Sequence, residues 1–173
     1  METEKKGLIA YFSQSGENYV NGKIISLPIG NTEIIAGKIN ELTGFDLFKI
    51  ESLDPYPSDY KETTRIAKIE HNEDIYPKMK TAAPDLSGYE IIYLGYPNWW
   101  SCFPMVVGTF LRAVDWNGKT IVPFCTHEGS GMCGLPEIAE LCPGVTIAPE
   151  LLIKGSKVSE ADELIRNWVK SNN

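Results

Sequence analysis

Short, almost uninterrupted apolar runs alternate along this chain with stretches in which apolar residues recur every three or four positions. Leu8-Ile9-Ala10-Tyr11-Phe12 reads as a first buried strand, and Phe45 to Ile50 as a second. Between them, Thr32 to Leu42 sets Ile34, Ile35, Ile39 and Leu42 on one helical face. Ile91 to Tyr96 is the clearest run and predicts a central strand. Phe103 to Val114 reads as a helix with Pro104 in its first turn, where a missing N–H is harmless. Thr120 to Cys125 predicts a fourth strand, Gly134 to Leu141 a helix, and Val145 to Ile153 holds a fifth strand. The last helix is announced by Ser159 and Asp162, spaced as a capping box, with Leu164, Ile165, Trp168 and Val169 on one face.

Apolar strands separated by helices imply a parallel sheet covered on both faces. The expected fold is α/β, a doubly wound five-stranded parallel sheet forming one domain over residues 1–173. Two stretches depart from simple alternation. Ser52 to Asp85 carries Pro55, Pro57, Pro77 and Pro84 around one helix near Asp59 to His71, which reads as a long excursion between strands. Glu17 to Ile29 places Asn21-Gly22 between Tyr19-Val20 and Lys23-Ile24-Ile25, the signature of an inserted hairpin flap.

Composition narrows the function classes. A length of 173 residues with 43% hydrophobic residues suits one domain with a substantial core. The formal charge of −7 repels nucleic acid and anionic membrane surfaces, so neither is an expected partner. It suits docking on a basic patch of another protein, and serves equally well to keep the chain soluble. Cys102, Cys125, Cys133 and Cys142 form no C-x-x-C pair, so neither a zinc site nor a dithiol redox motif is expected. Gly7 to Phe12 is too short for the core of a signal peptide, and no run approaches the ~18 apolar residues of a membrane span. The expected location is cytoplasmic.

In doubly wound sheets, ligands bind beyond the carboxyl ends of the strands, where the strand order reverses. With order 2-1-3-4-5, that point lies between the first and third strands and exposes three loops. In the first, Ser13-Gln14-Ser15-Gly16, hydroxyls and a glycine directly follow a buried strand, a composition that can wrap a phosphate with backbone N–H groups. No lysine or arginine lies there, so the positive field falls to the N-terminus of the helix that opens at Gly30-Asn31-Thr32. A plain turn and a plain helix cap would use the same residues. In the second loop, Gly95-Tyr96-Pro97-Asn98-Trp99-Trp100-Ser101, two adjacent tryptophans cannot both enter one core. At least one is left to stack on a flat ligand, and Asn98 offers an amide to a heterocycle edge. In the third loop, Thr126-His127-Glu128-Gly129-Ser130-Gly131, two glycines permit close backbone approach. His127-Glu128 lacks the second histidine of a zinc motif, and Glu128 stands where a nucleophile elbow needs glycine. His127 is then either a proton-transfer group or a loop histidine with no catalytic role.

Together the three loops resemble the FMN loops of flavodoxins, nearest a bacterial subgroup with a Tyr-Pro-x-Trp-Trp second loop, over Leu8 to Val169. The resemblance implies a flavodoxin-like sheet of order 2-1-3-4-5, flavodoxins being themselves an example of the ligand-placement rule above. It implies FMN as cofactor, with the phosphate held by Ser13, Ser15, Gly16, Asn31 and Thr32 and with Gln14 among the cofactor-binding residues. It also implies the isoalloxazine bordered by Pro97, Asn98, Trp99 and Trp100 on one side and by Thr126, His127, Glu128 and Gly129 on the other, with Ser101 among the cofactor-binding residues. The family's phosphate loop is contiguous, whereas here the flap splits it, leaving open whether Asn18 or Thr32 supplies the last phosphate contact. No residue is assigned a catalytic role and no metal is expected. Pro97 to Ser101 of the second loop contains no glycine to make the peptide flip that stabilises the flavin radical in ordinary flavodoxins, which favours two-electron traffic. Expected partners are redox proteins or a small-molecule electron acceptor, and the chain is expected to be a monomer or homodimer. The implied functions are electron transfer through FMN or, as the alternative, NAD(P)H-dependent reduction of a quinone or related compound.

Overall fold

The computed structural model describes residues 6–173, so Met1 to Lys5 of the polar N-terminus lie outside the described residues. The elements run β1 (Gly7–Tyr11), β2 (Gly16–Val20), β3 (Lys23–Leu27), α1 (Asn31–Thr43), β4 (Asp46–Lys49), α2 (Tyr60–Asn72), β5 (Ile91–Pro97) and α3 (Met105–Ala113). They continue with β6 (Thr120–His127), α4 (Leu135–Leu141), β7 (Thr146–Ile147), β8 (Leu151–Lys154), a 3-10 helix (Gly155–Glu160) and α5 (Asp162–Asn172). The main sheet has the order β4-β1-β5-β6-β7, with β8 also on β6, and every pair in it is parallel. Setting aside the flap strands, this is the 2-1-3-4-5 order. Among the described residues, no helix is long and apolar enough to cross a membrane.

Because successive residues of a strand face opposite ways, each continuous apolar run feeds two cores. Ile9, Tyr11, Tyr93, Val122 and Phe124 meet Ile35, Ala36 and Ile39 of α1 and Ile165 and Trp168 of α5. Leu8, Ala10, Ile92, Leu94, Tyr96 and Cys125 meet Val106, Val107 and Phe110 of α3 and Ile138 of α4. Full burial of each large apolar side chain contributes about 1.5–3 kcal/mol. All four cysteines are buried and unbridged.

Four details differ from the sequence reading. The fifth strand is split. β7 pairs with Thr120-Ile121 and β8 with Phe124 to His127, leaving Val122-Pro123 between them. Thr120 donates toward the β5 side, so by alternation the missing N–H of Pro123 falls on the outer edge, in this gap. Secondly, α3 starts at Met105, not at Phe103: Phe103 precedes a proline and is disfavoured in the helical region, and Pro104 itself is the extended N-cap. Thirdly, Ser159 does not cap α5. It lies in the 3-10 helix that runs into α5 through Ala161, and Asp162 pairs instead with Lys38 of α1. Finally, Leu42 and Leu164 are 43% and 53% exposed. Leu164 stands about 100° from Ile165, beside the buried stripe of Ile165, Trp168 and Val169, whereas Leu42 lies only about 20° from Ile35 in projection but in the last turn of α1, next to its end at Thr43. The helix read near Asp59 is present as α2, with Asp59 Oδ1 accepting the Glu62 N–H at 2.7 Å.

Candidate functional site

The chain leaves β1 through Phe12, whose N–H donates to Gly95 O at 3.0 Å, and enters the first loop. The flap then departs as the antiparallel pair β2–β3, turned at Asn21-Gly22 with φ of 49° and 86°, as the Asn-Gly signature predicts. It returns the chain to the first loop. Ser13 Oγ accepts the N–H of Glu33 in the first turn of α1 at 3.1 Å. Gly30 lies so close that an added Cβ would stand 2.2 Å from Ser13 Oγ and 2.6 Å from Gln14 O. The interrupted loop is thus rebuilt in space, with the amino end of α1 seated on Ser13-Gln14. The N–H groups of Asn31 and Thr32, in the first turn, have no intrahelical acceptor.

Two side chains proposed for the last phosphate contact are engaged elsewhere. Thr32 is 2% exposed, and its hydroxyl hydrogen-bonds to Thr126 Oγ1 at 2.9 Å, tying α1 to β6. Asn18 donates from Nδ2 to Gln14 O and Gly16 O, each at 3.1 Å, and so braces the first loop from the flap.

In the second loop, Trp99 and Cys102 form a two-way backbone bridge around Trp100-Ser101, with φ of 57° and 62°. Two consecutive positive φ values mark a type I′ turn made without glycine. Asn98 steadies it. Its Oδ1 accepts the Ser101 N–H at 3.0 Å within the same loop, and its Nδ2 donates to Gly131 O at 2.9 Å, so one end of the amide closes the second loop and the other ties it to the third. The tryptophans part company. Trp99 packs edge-on against Phe12 and Tyr56, with centroids 5.2 and 5.1 Å away. Trp100 is 43% exposed, donates from Nε1 to Thr64 O at 3.0 Å, and lies under Lys68 Nζ at 5.0 Å.

The third loop is organised by His127, whose Nδ1 accepts the N–H groups of Gly129 and Gly131 at 2.9 and 3.1 Å. A protonated ring could not accept them. Burial is the main force holding the imidazole pKa below 6.5, helped by the Lys154 charge and opposed by Glu128. Glu128 turns its two carboxylate oxygens to the N–H groups of Asn21 and Ser156, at 3.0 and 2.6 Å.

These loops enclose a cleft of about 360 Å³ between the carboxyl ends of β1, β5 and β6. Of the sequence-predicted residues, Gln14, Asn18, Asn31, Pro97, Asn98, Trp99, Trp100, Thr126, His127 and Glu128 line it. Ser13, Ser15, Gly16, Thr32, Ser101 and Gly129 stand outside the lining. Sequence reasoning missed Glu17 and Tyr19 of the flap, Tyr60, Thr63, Thr64 and Ala67 of α2, Ser130, and Gly155. The α2 residues fall at i, i+3, i+4 and i+7, one helical face, but nothing in that spacing says the face meets a cleft.

A flavodoxin family model matches residues 6–172. The chain belongs to the flavodoxin family. No curated protein sequence matches this flavodoxin. Among solved structures, a protein assigned as a flavoprotein from Bacteroides uniformis superposes with a TM-score of 0.75 at 24% identity, covering 97% of this chain and 99% of that one. Another from Bacteroides eggerthii gives 0.70 at 26% identity, covering 92% and 97%. A flavoprotein from Lactobacillus acidophilus, solved in complex with FMN, gives 0.63 at 20% identity, covering 90% and 97%.

Proposed function

We propose that this flavodoxin binds FMN in the cleft between the carboxyl ends of β1, β5 and β6 and works as an electron-transfer protein. One observation carries the reading: the amino end of α1 is brought back onto Ser13-Gln14 beside an aromatic-walled cleft, despite the intervening flap. The donor set fits the group. Backbone amides at a helix start suit a phosphate without any cation, and Trp99 and Trp100 offer apolar surface to a flat ring. When bound, FMN supplies the redox chemistry, while the protein supplies position and surroundings. In this assignment Gln14, Asn31 and the α1 amides hold the phosphate end. Trp99, Trp100, Thr126 and His127 border the ring, and Asn98, Ser13 and Thr32 hold the loops. The acceptor is a redox protein or a small molecule.

A second reading is an NAD(P)H-dependent reductase of quinones or related compounds. It is favoured by the flap, which adds Glu17 and Tyr19 to the cleft and sets Tyr19 beside Tyr60, with centroids 6.4 Å apart.

The test is to titrate the protein with FMN, then reduce it stepwise without oxygen while recording the visible spectrum. Quenched flavin fluorescence with a rising long-wavelength band supports one-electron transfer. Quenching followed by direct bleaching supports the reductase, which should then oxidise NAD(P)H with a quinone unaided. Fluorescence that stays that of free flavin removes both readings.

A further inference from the structure

The flap is a two-stranded ribbon outside the main sheet, and such a ribbon alone is only marginally stable. Its position over the cleft therefore depends on a few anchors. At its root, the Glu17 N–H donates to Ser58 O, and the Glu17 carboxylate accepts the Tyr60 N–H, both at 2.9 Å. At its tip, the Asn21 N–H donates to Glu128 Oε2 at 3.0 Å, across 107 positions of sequence. The other oxygen of Glu128 takes the Ser156 N–H at 2.6 Å. Gly155 lies flush against the same group: a Cβ there would stand 2.8 Å from Glu128 Oε1 and 2.5 Å from Asn31 Nδ2. One carboxylate thus joins the flap tip, the third loop and the start of the 3-10 helix after β8, beside the first residue of α1.

We infer that Glu128 is a positioning residue that latches the flap tip over the cleft and sets how often the flap opens. It acts through the Asn21 and Ser156 amides rather than on a bound ring. A carboxylate suits this because both its oxygens only accept, whereas an amide would turn an N–H₂ toward one of the two donors. The consequence for cofactor exchange rests on the FMN reading above; the latch itself does not.

Trypsin reads the latch directly in the full chain without FMN. Lys23 opens β3 next to the flap tip and is exposed, and cleavage after it requires the ribbon to detach. Cleavage after Lys23, followed by mass spectrometry, should be roughly tenfold faster or more in Glu128→Ala, with Glu128→Gln between it and the unaltered chain. The unfolding transition, followed by circular dichroism, identifies any variant that loses its fold. If Glu128→Ala does so, the isosteric Glu128→Gln decides alone. Unchanged Lys23 cleavage in a folded variant overturns the latch, whatever FMN does. On FMN-loaded protein, the release rate in Glu128→Gln should rise several-fold with a smaller change in the association rate. Faster cleavage in a chain that binds no FMN leaves the latch standing and removes only the cofactor reading.

Discussion

Two regions on the same cleft are built by different physics. The floor consists of strand ends whose side chains continue into the cores: Phe12, Tyr96, Cys125 and Thr126 are all buried. The roof, β2–β3, has no fully buried residue in either strand, and Tyr19, Ile24 and Ile25 are 44%, 46% and 40% exposed. Apolar burial fixes the floor, and a handful of hydrogen bonds to Glu17, Glu128 and Gln14 places the roof. Hydrophobic contacts add over many atoms and yield only when the core opens, whereas a few polar anchors can be lost locally. A ligand site needs both, since a rigid floor sets geometry and a detachable roof sets exchange.

The sharpest way to break this comparison is to truncate one large apolar residue in each region. Phe110 is fully buried between Phe48 and Trp116, with centroids 5.7 and 5.9 Å away. Phe110→Ala should cost about 3–5 kcal/mol in urea unfolding, and Ile24→Ala no more than about 0.5 kcal/mol. Equal losses would mean the flap belongs to the core.

The floor can be probed within α1 alone. Gly30→Ala forces a Cβ onto Ser13 Oγ, while Gly37 of the same helix has open space around it. Gly30→Ala should cost about 1–3 kcal/mol and weaken FMN binding at least tenfold. Gly37→Ala should be neutral, or stabilising by up to about 1 kcal/mol, with FMN binding unchanged. Equal FMN affinities in the two variants would show that the seating of α1 on Ser13-Gln14 does not hold the ligand.

The tryptophans give a smaller contrast. Trp99→Ala should destabilise by about 2–3 kcal/mol, because Phe12 and Tyr56 lose their shared partner. Trp100→Ala should lose about 1 kcal/mol, the value of one exposed hydrogen bond and a cation–π contact. A larger loss at Trp100 would place the anchor of the second loop on α2.

The smallest effect is the pH dependence of the third loop. Burial lowers the His127 pKa from 6.5, so the unfolded chain binds that proton more readily than the folded one. Its contribution to stability is complete above pH 6.5 and is lost as the pH falls from there through the lowered folded value. His127→Ala should flatten the stability curve in that window. An unchanged slope would mean that the ring does not need its neutral form to hold Gly129 and Gly131.

What the sequence determined by itself was the set of elements and the loops that face the ligand. Apolar periodicity is local, and Leu8 to Phe12 or Ile91 to Tyr96 can be read as strands because their neighbours along the chain carry the pattern. The Asn21-Gly22 hairpin and the Asp59 cap are equally local. Tertiary structure alone decided the rest. Pro123 divides the outer strand only because its missing N–H faces that edge, and Ser159 is no cap because it is taken into the 3-10 helix that runs through Ala161 into α5, leaving Asp162 to pair with Lys38 of another helix. Tyr60, Thr63 and Thr64 join the site because α2 is folded against the cleft, and Glu128 reaches Asn21 only after the flap closes back over β6. Such roles depend on which residues distant in sequence come within bonding distance, and no local pattern encodes that approach.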